Sequence, residues 1–504
     1  MLLGDLLEFA AARYPERIAI IDGQRRYTYA AWNARVNAVA HALRACGVGP
    51  GDHVVQVTRN REEHCAVAWA CYKLGAINTP INFRWTSGEI AFCANDADAR
   101  LVVFEPSTSD QVQAAQLASA ARLLCLGQPF DDVVAQMPSN TPPSASVKAD
   151  DTALMLYTSG TTGRPKGVPR SQANEYAATI GQIVQHQYAP GERTLGVMPL
   201  YHTMGVHSLS AMLALNGVFV CMPEWDAPTA LRLVQDEGLT CLYLVPTLFH
   251  MLVHEPAFDA YDVSSVSKLS YAGAPMLSSL VEACVERFRP EVFVNHYGST
   301  EVYTFSICED AQRKPGCAGR AAFHAAVRVV RAEAEPTVGP DDVVGPGETG
   351  EVIVSLASPE AFAGYFNRPE PTARAIRQGW YFTGDTGHFD AEGDLWVTGR
   401  VDDMIITGGE NVQPVEVEEV LARAPGVREV AVVGLPDERW GQIVAAFIVP
   451  TSGEASVAQI ESVAAGQLAR YKRPRKLVLV KQIPKSPVGK VLRRLLVAGE
   501  YEAL

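Results

Sequence analysis

Residues 153–167 read Ala153-Leu154-Met155-Leu156-Tyr157-Thr158-Ser159-Gly160-Thr161-Thr162-Gly163-Arg164-Pro165-Lys166-Gly167. An apolar run gives way to hydroxyls, glycines and two cations. That order predicts a strand ending in a loop whose amides, hydroxyls and cations can wrap a polyphosphate. Glycine lets the backbone come close to a phosphate, Ser and Thr add donors, and Lys and Arg add charge. The string is not a Walker A loop, because no Gly-Lys-Ser/Thr follows its glycines.

Five further blocks carry chemistry of their own. Tyr297-Gly298-Ser299-Thr300-Glu301 follows a predicted strand, Val292-Phe293-Val294. A carboxylate beside hydroxyls at a strand end suits a Mg2+ shared between protein and phosphates, and the Tyr297 ring can stack on adenine; alone, the block reads more often as a capped turn. Trp380-Tyr381-Phe382-Thr383-Gly384-Asp385 leads into a predicted hairpin through Asp390-Ala391-Glu392-Gly393-Asp394, whose return strand delivers Arg400. A buried Asp385 can accept both hydrogen bonds from the vicinal hydroxyls of a ribose, with Arg400 in reach of the ribose or a phosphate. Gly408 and Gly409, in the string Asp402 to Asn411, suit a place where backbone lies against a narrow ligand. Trp440, together with Tyr471-Lys472-Arg473-Pro474-Arg475-Lys476, offers aromatic and cationic groups that can hold a nucleotide, although a basic cluster is also an ordinary solvated face. Pro484-Lys485-Ser486-Pro487-Val488-Gly489-Lys490 sets a lysine on a Pro/Gly-rich loop.

In this order the six blocks resemble those of the adenylate-forming acyl-CoA synthetase superfamily, and the resemblance covers nearly the whole chain. Phe362 to Pro369 and Gly399 to Pro414 are most similar to bacterial aryl-CoA ligases of the 4-chlorobenzoate type. The resemblance implies two half-reactions: an acid and ATP give acyl-AMP and pyrophosphate, then coenzyme A gives acyl-CoA and AMP. It implies ATP, Mg2+ and coenzyme A as cofactors and a small-molecule carboxylic acid as partner. Lys490 would be the adenylation lysine, an ammonium that offsets the repulsion between carboxylate and triphosphate and stabilises charge on the pentavalent phosphorus. His202, Glu301 and Thr161 would share the catalytic work, with Glu301 reaching Mg2+ through ATP.

By the same resemblance, nucleotide contacts fall to Thr158, Ser159, Gly160, Thr161, Thr162, Gly163, Lys166, Gly273, Ala274, Pro275, His296, Tyr297, Gly298, Ser299, Thr300, Asp385 and Arg400. Coenzyme A contacts fall to Gly408, Gly409, Trp440, Tyr471, Arg473 and Arg475. Asp402 would be the hinge, within 401–403, between an ATP- and acyl-binding domain at 1–400 and a mobile domain at 404–504. Rotation there would exchange the Lys490 face for the Gly408-Gly409 face. The acyl pocket would be lined by Gly181, His202, Thr203, Met204, Tyr243, Ala272, His296, Gly298, Tyr303 and Thr304.

No Arg or Lys stands among those pocket positions, so a dicarboxylate would bury an unpaired charge. No Asp follows Leu200, where amino-acid-activating domains hold the substrate ammonium. The expectation is a monocarboxylic acid, aromatic or alicyclic. Tyr303 and Thr304 are more polar than their counterparts in the chlorobenzoate ligases and suggest a polar ring substituent or a heteroaromatic acid. Tyr243 and His296 would shorten the pocket against a long fatty chain. The alternatives are an enzyme loading a carrier protein, a medium-chain fatty acyl-CoA synthetase and a luciferase-like oxygenase. No fused carrier is expected, with 14 residues after Lys490. A non-catalytic relative would be expected to lose Lys490, Glu301 or Asp385, and all three are present.

The elements that must position these residues read as α/β. Residues 28–150 alternate amphipathic helices (29–46, 63–74) with strands (53–57, 101–104), and a second alternating unit has strands at 195–198, 218–221 and 241–245. A Pro/Ser-rich connection spans 137–147, and Val327 to Leu356 reads as a small β-barrel-like subdomain. Beyond Arg400 comes a small hinged α/β domain, with a helix at 414–424, strands at 429–433 and 445–449, and a helix before Tyr471.

A chain of 504 residues needs more than one core, and 48% hydrophobic with 20% charged residues is an ordinary globular composition. A net charge of -13 argues against nonspecific nucleic-acid binding and against adhesion to an anionic membrane. Ten cysteines without a Cys-x-x-Cys pair suit reduced thiols, and no apolar stretch has transmembrane length. The N-terminus lacks a basic region before its apolar residues and the C-terminal Glu-Ala-Leu is no peroxisomal address, so the expected location is cytoplasmic. A homodimer is compatible with all of this. His250 and His254 lack a third ligand in register for a metal, and His207 reads as packing.

Overall fold

The computed structural model describes residues 1–118, 121–158, 165–332, 338–401, 403–407, 410–451, 456–485 and 491–504. Ser159, Gly160, Thr161, Thr162, Gly163, Asp402, Gly408, Gly409 and Lys490 lie outside the described residues.

Among the described residues, the two alternating units build two sheets. One has six strands in the order 122–125, 101–104, 53–57, 77–80, 152–158 and 166–171, parallel except for the last pair. The other has nine: 320–321, 306–308, 292–297, 268–271, 241–244, 193–196, 218–221, 18–22 and 25–28. Its six inner strands run parallel and its edges antiparallel. Buried strands such as Leu101–Phe104 and Cys241–Leu244 are unbroken apolar runs, as both faces are covered. Ile18–Asp22 joins the second sheet beside Val218–Cys221, a long-range pairing that local patterning could not disclose.

Tyr29–Ala45 begins where the Thr28 hydroxyl accepts from the Ala31 amide, and it buries Trp32, Val36, Val39 and Leu43 at helical spacing. Another face pins the 137–147 connection: Asn37, His41 and Arg44 bond the carbonyls of Ser139, Thr141 and Ser144. The expected loop is therefore strapped along a helix, with its backbone acceptors satisfied.

Strands 327–330, 350–355, 376–377, 380–389 and 395–400 form an antiparallel sheet. After it, 410–412, 405–407, 441–450, 427–437 and 476–479 form a fourth. Alternation fits this last sheet between two layers. Val432, Val444, Ala446 and Ile448 face helices 414–421 and 457–467, while Ala431, Val433, Ala445, Phe447 and Val449 pack with Val480 and Leu496. Among the described residues, no helix is long and apolar enough to cross a membrane.

The strand expected at 195–198 runs instead over Arg193–Gly196. Buried Asn60 explains the early end. Its amide nitrogen donates to the Gly196 and Met198 carbonyls (2.9 and 2.7 Å), and its oxygen accepts from the Leu200 amide (3.0 Å). The Gly196 carbonyl still accepts from the Met222 amide (3.2 Å), but beyond it the Met198 carbonyl and Leu200 amide bond this side chain.

Candidate active site

The hairpin predicted between residues 385 and 400 forms, and its register sets Asp385 directly opposite Arg400. Arg400 Nη1 donates to Asp385 Oδ1 at 2.8 Å, and the Tyr297 hydroxyl donates to Oδ2 at 2.6 Å. Tyr297 ends the strand Val292–Tyr297, three residues longer than expected. Burial, then the Asp385 carboxylate, holds its phenol far above the usual range, so it remains a donor. Three groups separated by up to 103 positions thus meet at one carboxylate.

From Tyr297 the chain turns tightly, and a Cβ at Gly298 would run into the Tyr303 carbonyl. Ser299 Oγ accepts from the Glu301 amide at 3.1 Å. Arg170 anchors the turn from behind. It is fully buried, and its Nη1 donates to the carbonyls of Thr300, Glu301 and Glu360 at 3.1, 3.3 and 2.7 Å. Nε donates to Glu175 at 2.6 Å, which compensates the buried charge. The Glu301 carboxylate, buried to 7% exposure, accepts from the Tyr365 hydroxyl at 2.7 Å. Lys166 Nζ lies 4.7 Å from the Tyr365 ring. Thr158 and Lys166 are cross-strand partners, so the two described ends of the phosphate-loop string stand side by side, next to Glu301.

His202 is the N-cap of helix Thr203–Ala214, its Nδ1 accepting from the Met204 amide at 3.4 Å, and the Asn60 clamp precedes it. Met204 is buried beneath Gly273, whose φ of +86° turns the chain toward Ala274 and Pro275.

Beyond this rim the expected acyl-pocket residues are drawn together by hydrogen bonds. His296 Nε2 lies 3.1 Å from the Tyr303 carbonyl, which can only accept, so Nε2 carries a proton. Its Nδ1 must then accept from His186 Nε2 at 3.0 Å, and His186 Nδ1 must accept from the Tyr188 hydroxyl at 3.3 Å. Burial lowers His296 to about 4 and His186 well below its ordinary value, so both rings are neutral. The Tyr303 hydroxyl donates to Gln182 Oε1 at 2.6 Å and lies 3.4 Å from the Tyr243 hydroxyl. Gly181 lends its space to Glu360: a Cβ there would stand 2.5 Å from Oε1, while Oε2 accepts from the Thr304 amide at 3.0 Å.

His207 does more than pack. It stacks on Tyr303 with centroids 3.8 Å apart, donates through Nδ1 to the Thr203 carbonyl at 2.9 Å, and has Nε2 3.3 Å from Glu175. In the C-terminal sheet, Arg475 and Arg439 lie 4.2 and 5.1 Å from the Trp440 ring. Tyr471 is partly exposed beside Lys472. Arg473, expected with the ligand-binding cations, spends its guanidinium on the carbonyls of Leu468 and Ala465 at the end of helix 457–467. It acts there as a C-terminal cap.

Sequence reasoning missed Asn60, Arg170, Glu175, Gln182, His186 and Glu360. None leaves a signal in the sequence: even Arg170 sits in a strand, Lys166–Ser171, that carries another cation and a serine, and all six have partners remote in sequence. Among the described residues no group of three His, Cys, Asp or Glu could hold a metal by itself. Glu301 as a single carboxylate suits Mg2+, which takes most of its ligands from phosphate and water.

The chain matches the AMP-binding enzyme family over residues 7–366 and the AMP-binding enzyme C-terminal domain over 416–490. It is 33% identical over 503 residues to the indoleacetate–CoA ligase of Aromatoleum aromaticum, covering 97% of this chain and 96% of that protein. It is 34% identical over 478 residues to the long-chain-fatty-acid–CoA ligase FadD13 of Mycobacterium tuberculosis, covering 94% and 92%. Its structure is similar to the anthranilate CoA ligase AuaEII in complex with anthranoyl-AMP, with TM-score 0.91, 25% identity, and coverage of 99% of this chain and 97% of that one.

Proposed function

The chain belongs to the AMP-binding enzyme family, and from that premise we propose that it activates a compact, monocarboxylic ring acid and passes it to coenzyme A. As a member it is an adenylate-forming acid–thiol ligase that uses ATP, Mg2+ and coenzyme A. A carboxylate oxygen attacks the α-phosphorus as the bond to pyrophosphate breaks; the thiol of coenzyme A then takes the acyl group and AMP leaves. Tyr297, Asp385 and Arg400 would hold the ribose side of the nucleotide, Glu301 the Mg2+, and Thr158 and Lys166 the entrance to the phosphate loop. We assign adenylation to Lys490, with the hinge at 401–403 and the thiol tunnel at Gly408 and Gly409. Trp440, Arg475 and Tyr471 would take the nucleotide end of coenzyme A.

One observation carries the choice of acid. Tyr243, His296 and Tyr303 touch one another at the inner end of the expected acyl crevice, with centroids 5.8 Å (Tyr243–His296) and 4.6 Å (His296–Tyr303) apart. Rigid rings there would obstruct a long aliphatic tail. Glu360, wholly buried beside Gly181 and Thr304, would repel a second carboxylate.

The test is pyrophosphate release over benzoates, furoate, cyclohexanecarboxylate, cinnamates and C4 to C16 fatty acids, with and without coenzyme A. Turnover on a ring acid that requires coenzyme A is expected. Preference for the longer fatty acids overturns the ring-acid reading, and a single burst without thioester moves the acceptor to a carrier protein. Lys490→Ala is expected to abolish adenylate formation while largely sparing thioester formation from supplied acyl-AMP; equal loss of both steps overturns its role.

A further inference from the structure

The 364–368 turn, which brings the Tyr365 hydroxyl to Glu301, presses on both strands that bound the phosphate loop. Tyr157 and Gly167 are cross-strand partners, one position outside the pair Thr158 and Lys166. On the return strand the Phe366 amide donates to the Gly167 carbonyl at 2.9 Å. A Cβ at Gly167 would stand 3.2 Å from the Phe366 Cβ and 2.9 Å from Met155 Sδ, so the two segments meet at backbone distance. On the outgoing strand the link is a carboxylate. Asp96, the last residue of helix Ser87–Asp96, accepts from the Tyr157 hydroxyl through Oδ2 at 2.9 Å and from Arg368 Nη2 through Oδ1 at 2.6 Å. The Cys93 carbonyl is a longer second acceptor for the Tyr157 proton, at 3.3 Å.

One carboxylate thus ties together groups 61 and 272 positions away from it. The Asp96 side chain is 11% exposed, which shields its pair with Arg368 from much of the screening that weakens surface pairs. Burial, then the Asp96 charge, holds the Tyr157 phenol far above its ordinary value, so it remains the donor. Arg368 is coupled to Tyr365 within the turn. The Tyr365 amide donates to Thr372 Oγ1 at 3.0 Å, and that hydroxyl donates to the Arg368 carbonyl at 2.7 Å. Tyr365 in turn has its hydroxyl on Glu301 and its ring 4.7 Å from Lys166 Nζ. A continuous chain of contacts therefore runs from Asp96 to the two charged groups proposed to meet the triphosphate and its Mg2+.

We propose that Asp96 is a positioning residue for adenylation: through Tyr157 and Arg368 it sets the base of the phosphate loop against Tyr365, and so fixes Lys166 relative to Glu301. The inference rests on the assignment of the loop to phosphate and of Glu301 to Mg2+, and deepens it. A shift in this arrangement misplaces the triphosphate during attack on the α-phosphorus, whereas thiol attack on a finished adenylate makes no use of it.

The experiment follows the two half-reactions separately in the full chain: pyrophosphate release with the best acid of the panel, and thioester formation from supplied acyl-AMP and coenzyme A. The variants are Asp96→Asn, Arg368→Met, the two combined, and Tyr157→Phe. Asn keeps the shape of Asp, but its amide nitrogen would face one of the two donors. In Asp96→Asn the kcat for pyrophosphate release is expected to fall about 10- to 100-fold, the scale of a small misplacement of reacting groups, with thioester formation near native. The double variant is expected to be no worse than the worse single one, because both break the same link. Tyr157→Phe removes one hydroxyl and tests the idea should the others fold poorly; a smaller fall in the same half-reaction is expected. Equal loss in both half-reactions, or losses that multiply in the double variant, overturns the positioning role. Glu301→Gln is measured alongside. If it spares pyrophosphate release, the assignment of Glu301 fails and the proposal with it; if it impairs release while Asp96→Asn does not, the proposal alone fails.

Discussion

Two residues never neighbours in sequence, His186 and His296, share a proton at 3.0 Å in a place without water to charge them. A histidine with a depressed folded value costs nothing above its ordinary pKa near 6.5. Below that, the unfolded chain takes up a proton that the folded chain refuses, until the folded pKa is reached. With His296 lowered to about 4, stability is lost as pH falls from 6.5 to 4, on the order of 3 kcal/mol from this group alone. Thermal midpoints are therefore expected to drop across that window and to drop less in His296→Phe; a midpoint flat in pH would contradict the neutral pair. Arg170 makes the opposite case, a charge that must remain. Arg170→Ala leaves Glu175 uncompensated beside His207, and about 3–5 kcal/mol of stability should be lost in denaturant unfolding. Adenylation should fall with it, since the Thr300 carbonyl loses its donor and the Glu301 carbonyl keeps only the Phe362 amide. None of these partners was legible in the sequence: Arg170 bonds a carbonyl 190 positions away.

Elements were legible where a residue's neighbours in sequence decide its environment. The strands at 53–57 and 101–104 and the helix at Tyr29–Ala45 stand within a residue of their expected bounds. The 380–400 hairpin was legible as well, because Asp390 to Asp394 is turn chemistry, and its register then fixes Asp385 against Arg400. The misplaced strand at 193–196 marks the limit, for what stops it is Asn60, 136 positions earlier. Asn60→Ala unpairs the Met198 carbonyl and the Leu200 amide just ahead of His202. A stability loss of about 1–3 kcal/mol is expected, with adenylation rate falling more than the KM for ATP changes. An unchanged rate would show that the segment before His202 holds its shape without the clamp.

The whole molecule divides its chemistry between four sheets. The residues proposed for the nucleotide gather where the nine-stranded sheet meets the 327–400 sheet, and the Trp440 group sits on the last sheet, with its own two-layered core. If that group serves only the second half-reaction, Trp440→Ala should raise the KM for coenzyme A by roughly 3- to 30-fold, the range of a cation–π contact, while leaving pyrophosphate exchange nearly intact. Loss of exchange would remove Trp440 from the thiol-transfer face. The sequence by itself determined the family, the α/β class, the order of the phosphate, acid and lysine strings, and the candidate residues Tyr297, Glu301, Asp385 and Arg400, because short-range spacing and turn chemistry are written in consecutive residues. Only the tertiary structure decided that Ile18–Asp22 crosses to the second sheet, that Arg473 caps a helix, that His207 faces Glu175, and that His186 meets His296. Those outcomes depend on which remote atoms share a dry interior, where each donor must find an acceptor, and no local pattern encodes that pairing.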